Sequence, residues 1–262
     1  MPTATNRGVD LYYETAGDGE TVAFVNPVGY GGWLWGWQHA ALAGPYETLV
    51  WDLRGTGRSD APPGPYDVAT LAADLEAVLA DRGVADIHLV GAGLGGMVAL
   101  AYARRWGRAR TLTLFGTATS GDDVRTLAAL FASPDDPQAL RASLAPAFAA
   151  DLDAHPDIVD DVVSWRRDDD AGREGWDAQA AAMRAFDATD WCYEVTLPAL
   201  VVHGVDDEVV PADAGARLAE NLPRGEYQPV EAGHLCFIER AAAVNDALVG
   251  FLDDASADRR GR

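Results

Sequence analysis

The chain has 262 residues with 48% apolar content, enough for one large α/β domain or two small ones, and no apolar run approaches the ~20 residues that span a bilayer. Its 41 acidic and 20 basic residues leave a formal net charge of −21, which repels nucleic acid and anionic membranes and argues against either as a partner. Every basic residue is an arginine, so Schiff-base chemistry, a Walker-type lysine and a lysine-assisted dehydrogenase site are all excluded. An acidic surface suits concentrated salt, where the ~3 Å screening length at 1 M suppresses self-repulsion. It points to a halophilic source, with a GC-rich genome that disfavours lysine codons as the other reading. The N-terminal segment carries no hydrophobic signal region, so a cytoplasmic location is expected. Cys192 and Cys236 are too few for a disulfide framework or a cysteine metal site and read as reduced thiols.

In chain order, Gly8 to Ala16 alternates like a strand and ends in a Gly-Asp-Gly turn. Thr21 to Val25 is a short apolar run, as in a strand covered on both faces of a parallel sheet. It empties into Asn26-Pro27-Val28-Gly29-Tyr30-Gly31-Gly32, a loop that glycine frees for unusual dihedrals. Glu47 to Leu53 is the next strand. Residues 67–82 place Val68, Leu71, Ala72, Leu75, Val78 and Leu79 at helical spacing. A strand at 86–90 then runs into Gly91-Ala92-Gly93-Leu94-Gly95-Gly96, and a small-residue helix leaves it from Met97 to Trp106. Thr111 to Phe115 is another buried strand.

Strands alternating with helices predict an α/β protein with a mostly parallel, doubly wound sheet. Residues 121–190 break the rhythm with Asp-Asp pairs, alanine-rich segments, four prolines and no strand pattern, so they read as a helical cap on a core of 1–120 and 191–262. A strand at 198–203, a helix at 211–221, a strand near 226–230 and a helix at 240–253 complete the core, with a frayed tail from Asp254.

A strand–turn–helix of this kind, with serine at the third turn position, is the nucleophile elbow of the α/β-hydrolases. Here that position is Gly93. Asp207, in the loop after the strand ending at His203, and His234, in Ala232-Gly233-His234, follow in the chain order of that family's acid and base. Such chemistry needs a histidine to take a proton and a buried carboxylate to fix its tautomer. Asp206 is the alternative acid. Leu94 and Val28 are the candidate backbone donors of an oxyanion hole, Pro27 having no N–H. Tyr30, Trp33, Trp35 and Trp165 are candidates to line a substrate pocket, although aromatic packing under the cap explains them equally well. Gly91-x-Gly93-x-x-Gly96 also fits a dinucleotide fingerprint, but no acidic residue lies in 109–121 where that motif requires one. Asp168-Asp169-Asp170 reads as a solvated face, and His39, His88, His155 and His203 show no metal-ligand spacing.

Over nearly its whole length the sequence resembles the α/β-hydrolase superfamily, most closely the 3-oxoadipate enol-lactonases and related esterases. The resemblance rests on Phe24 to Gln38, on Asp52-Leu53-Arg54-Gly55-Thr56-Gly57-Arg58-Ser59-Asp60-Ala61-Pro62, and on the acid and histidine segments. It implies a small ester, lactone or related carbonyl compound as substrate, with no cofactor and no metal. Pro27 stands where the lactonases have serine, and Gly93 where the nucleophile should be. The residues therefore leave three readings open: His234 backed by Asp207 as a general base, a pseudoenzyme that binds a ligand, or a Ser-to-Gly form of a serine esterase. Oligomeric state stays undetermined.

Overall fold

A computed structural model describes residues 2–42 and 44–260. Among these residues eight strands form one sheet: β1 (Thr3–Asn6), β2 (Val9–Ala16), β3 (Glu20–Val25), β4 (Tyr46–Trp51), β5 (Ile87–Ala92), β6 (Ala109–Phe115), β7 (Ala199–Gly204) and β8 (Gly225–Val230), in the order β1-β2-β4-β3-β5-β6-β7-β8. Pairings β1–β2 and β2–β4 are antiparallel and all the others are parallel. The mostly parallel, doubly wound sheet expected from the alternation is therefore present, as the resemblance to the α/β-hydrolases also implied. All residues of β5 and of β7 are buried, which is why these strands read as continuous apolar runs.

Among the described residues nine helices accompany the sheet: α1 (Gly36–Leu42), α2 (Val68–Arg82), α3 (Leu94–Arg105), α4 (Pro137–Ala142), α5 (Pro156–Asp169), α6 (Arg173–Ala185), α7 (Ala212–Asn221), α8 (Cys236–Glu239) and α9 (Ala241–Arg260). The Asp67 side chain accepts the Thr70 N–H at 2.6 Å to start α2, and Gly83 ends it at φ 75°. Between 121 and 190 the described residues are helices, 3-10 turns and loops, closed at the neck by a single bridge, Ser120 to Asp187.

Three details differ from the pattern read above. Strand β1 went unpredicted because Thr-Ala-Thr-Asn has no apolar alternation; its register against β2 holds it. Helix α9 continues through the expected tail to Arg260, because Leu252 and Ser256 stay buried and Tyr46 Oη donates to Asp253 Oδ1 at 2.8 Å. Gly261 and Arg262 lie outside the described residues. Asp170 is not solvated: its side chain is 4% exposed and pairs with the buried Arg166 at 2.7 Å. Cys192 and Cys236 are both buried and unpaired. Among the described residues no helix is long and apolar enough to cross a membrane.

Loops at the carboxyl ends of β3, β5, β6, β7 and β8 meet on one side of the sheet. The chain turns one way from β3 to β4 and the other way to β5, so the topological switch point, where open α/β sheets bind ligands, falls between the β3 loop and the β5 turn.

Candidate active site

Gly93 is the residue between β5 and α3, at φ 51° and ψ −114°. Its neighbours show why the turn is glycine-rich. A Cβ on Gly91 would overlap the Gly95 carbonyl, one on Gly95 the Val25 carbonyl, and one on Gly96 the Thr117 side chain. Gly93 is different. The nearest atoms a Cβ there would meet are Pro27 Cβ at 3.5 Å, His234 Nε2 at 3.6 Å and Met183 Cε at 3.8 Å, all ordinary contacts. Space therefore does not demand glycine at this position; only the positive φ favours it.

His234 is 3% exposed, and its Nδ1 lies 2.8 Å from Asp207 Oδ2. The structure thus brings Gly93, His234 and Asp207 into one cluster. Asp206 is exposed and its N–H goes to the Ala232 carbonyl, so it takes no part. Asp207 Oδ1 accepts the N–H groups of Val209 at 2.8 Å and Val210 at 2.9 Å. Oδ2 also lies 3.2 Å from His203 Nε2, whose closer partner is the Val210 carbonyl at 2.8 Å. Burial opposes ionisation of Asp207, but the charge of His234 and the hydrogen bonds from His203 and His234 outweigh it and hold the carboxyl well below its usual range.

A depressed folded value gives this carboxylate a stabilising contribution that is present above the unfolded value of about 3.9 and lost as pH falls through the folded one. The difference in unfolding free energy between the native chain and Asp207→Asn is therefore expected to shrink as pH is lowered below about 4. Urea titrations between pH 6 and pH 3 check this; a constant difference would contradict it.

Gly116, at φ 50° after β6, passes directly under the pair: a Cβ there would stand 3.0 Å from His234 Nδ1 and 3.3 Å from Asp207 Oδ2. Neither Gly116 nor His203 carried a sequence signal for this role. A turn after a buried strand and a histidine without ligand spacing are both common.

Of the candidate donors, Leu94 begins α3, where N–H groups have no intrahelical acceptor, and Val28 follows Pro27 in the facing loop. Both residues are buried. The aromatic candidates are held by contacts with one another, the core and the 121–190 segment. Trp35 is in the core, stacked on Phe237 at 4.9 Å, with its Nε1 donating to Asn26 Oδ1 at 2.7 Å. Tyr30, Trp33 and Trp165 form a row of rings with neighbouring centroids 6.0 and 5.9 Å apart, tying α5 to the β3 loop. Trp165 is 40% exposed and Tyr30 is 1% exposed. The atoms nearest the Gly93 Cβ position come from none of the four.

The 121–190 segment supplies contacts that the sequence did not indicate. Asp170 Oδ1 accepts from Gly31 N at 3.2 Å and Trp33 Nε1 at 3.0 Å, while Arg166 bonds Asp170, Ser143 and the Leu140 carbonyl. Burial pushes the Asp170 carboxyl up, against the pull of Arg166. Arg166→Ala would leave that buried carboxylate without its cation, which costs about 3–5 kcal/mol. Chemical denaturation is expected to show a loss of this size; a loss below about 1 kcal/mol would show the pair to be no better than an exposed one.

The profile of the Alpha/beta hydrolase family matches residues 22–247, and the chain belongs to that family. It is 28% identical to a putative carbamate hydrolase RutD of Azorhizobium caulinodans, over 96% of this chain and 98% of that protein. It is 26% identical to 3-oxoadipate enol-lactonase 2 of Acinetobacter baylyi, over 94% of each. The crystal structure of the enol-lactonase from Burkholderia xenovorans superposes with a TM-score of 0.82 at 26% identity, covering 96% of this chain and all of that one.

Proposed function

We propose that this chain hydrolyses a small ester, lactone or carbamate by direct attack of water, with His234 as general base and Asp207 as its orienting anion. The observation that carries the reading is that His234 is tied through Nδ1 to Asp207 at 2.8 Å while Nε2 faces the position above Gly93 from 3.6 Å. With no side chain at Gly93, an acyl-enzyme cannot form there. Water held against Nε2 gives up a proton to the imidazole as its oxygen adds to the substrate carbonyl. The resulting oxyanion is taken by the N–H groups of Leu94 and Val28. Collapse expels the alkoxide, which receives the proton from the imidazolium, so acid and alcohol leave and the base is restored. Residues 121–190 serve as the cap over a core of 1–120 and 191–262, and no cofactor or metal is needed. The carbamate hydrolase and enol-lactonase names of the relatives support carbonyl substrates of this size.

A second reading has its own observation. The Gly93 position accepts a Cβ at ordinary contact distances, unlike Gly91, Gly95 and Gly96, which favours a serine-bearing parent of this elbow. Steady-state assays with aryl acetates, small lactones and carbamates test the proposal by product formation. Ligand-induced thermal shifts without any product would instead make the chain a binding protein.

A further inference from the structure

Helix α6 presents Trp176, Gln179 and Met183 at spacings i, i+3 and i+7, which place them on one face. That face lies along the site. The Trp176 ring packs so closely on Gly29 that a Cβ there would overlap it. Met183 Cε stands 3.8 Å from the Gly93 Cβ position. Between them, Gln179 is fully buried at 0% exposure and spends its whole amide on the core. Its Oε1 accepts Gly29 N–H at 2.7 Å, and its Nε2 donates to the Arg54 carbonyl at 2.9 Å and to Thr56 Oγ1 at 2.7 Å. Gly29, at φ 75°, adjoins Val28 in the chain.

We infer that Gln179 is a positioning residue that holds the Val28–Gly29 peptide so that Val28 N–H points at a developing oxyanion, making the oxyanion hole complete only while α6 is docked. The inference rests on the functional reading above, because it takes Val28 and Leu94 as the oxyanion donors. The three bonds are well suited to this task. The two Nε2 bonds fix the amide plane against the β4–α2 loop, and Oε1 then sets the one N–H beside the donor residue. Approach of α6 is unobstructed where it meets that loop, since Gly175 packs on Gly55 with no side chain on either. Two groups far apart in the chain, the Val28 donor and its support, thus come into register through one side chain.

Two probes of similar size separate positioning from mere packing: phenyl methylphosphonate, whose anionic tetrahedral group needs the oxyanion donors, and acetanilide, a neutral planar amide that needs them far less. Gln179→Met keeps length and apolar packing but leaves Gly29 N–H without an acceptor. It is expected to weaken phosphonate binding by about tenfold or more while leaving acetanilide within about twofold. Gln179→Glu restores the acceptor for Gly29 N–H but not the two donated bonds, and is expected to recover part of the phosphonate affinity lost in the methionine variant. If the methionine variant does not fold, Thr56→Val loosens the amide from its far side and should weaken the phosphonate alone by about threefold. Equal losses for both probes, or no change in either, would overturn the inference while leaving the hydrolase reading intact. A native chain that binds neither probe would overturn both.

Discussion

Gly93→Ser is expected to raise ester hydrolysis by roughly 10²–10⁴-fold while lowering stability by about 1–3 kcal/mol. The gain follows from two magnitudes. A complete serine–histidine–acid set exceeds its serine-less remnant by about 10⁶, and general-base assistance to water recovers about 10²–10⁴ of that. Nothing in the site opposes the side chain, because its Cβ meets Pro27, His234 and Met183 at 3.5–3.8 Å, and the hydroxyl would face His234 Nε2. The stability loss arises from φ 51°, a backbone region that a residue with a Cβ occupies only under strain. Gly93→Ala is the control: it carries the same strain, supplies no nucleophile and occupies the space beside Nε2 where water must stand. Ser and Ala variants with equal rates would remove the elbow from the chemistry altogether.

His234→Ala is expected to lower turnover of the otherwise unmodified chain by about 10²–10⁴-fold. His234→Gln should fall as far, since glutamine fills much of the space but accepts no proton near neutral pH. Loss of the fold would not explain such a drop. Asp207 keeps the Val209 and Val210 N–H groups and the nearby His203 when His234 is removed, so the buried carboxylate is not abandoned. Circular dichroism and thermal melting of the variants check that point alongside the kinetics. Turnover unchanged by either substitution would place the reaction elsewhere.

Much of the architecture was legible from local pattern. Apolar runs of five or six residues announced the buried parallel strands, and the helical stripe from Val68 to Leu79 announced α2 within one residue of its observed start. The order Gly93, Asp207, His234 was legible too, and the structure gathers the three. Local pattern failed where a residue's surroundings are supplied by distant chain. Trp35 and Trp33 look alike in sequence, yet one is stacked in the core on Phe237 and the other is hydrogen-bonded to Asp170. Asp168, Asp169 and Asp170 form one run, yet it is the Asp170 carboxylate that bonds Gly31 N, Trp33 Nε1 and Arg166. The β1 strand and the last turns of α9 have weak intrinsic patterns and owe their form to their partners.

By itself, then, the sequence determined the strand-and-helix alternation, the family to which the chain belongs and the absence of a nucleophile at position 93, because each is written in residue type and order. Tertiary structure alone decided what surrounds that position. Gly116 beside His234, His203 beside Asp207 and the α6 face packed on the loop after β3 are set by packing across the chain. Gly29 and Gln179 meet from 150 residues apart. A hydrogen bond over that separation leaves no periodicity to read, since it depends on how the 121–190 segment docks and not on any local spacing.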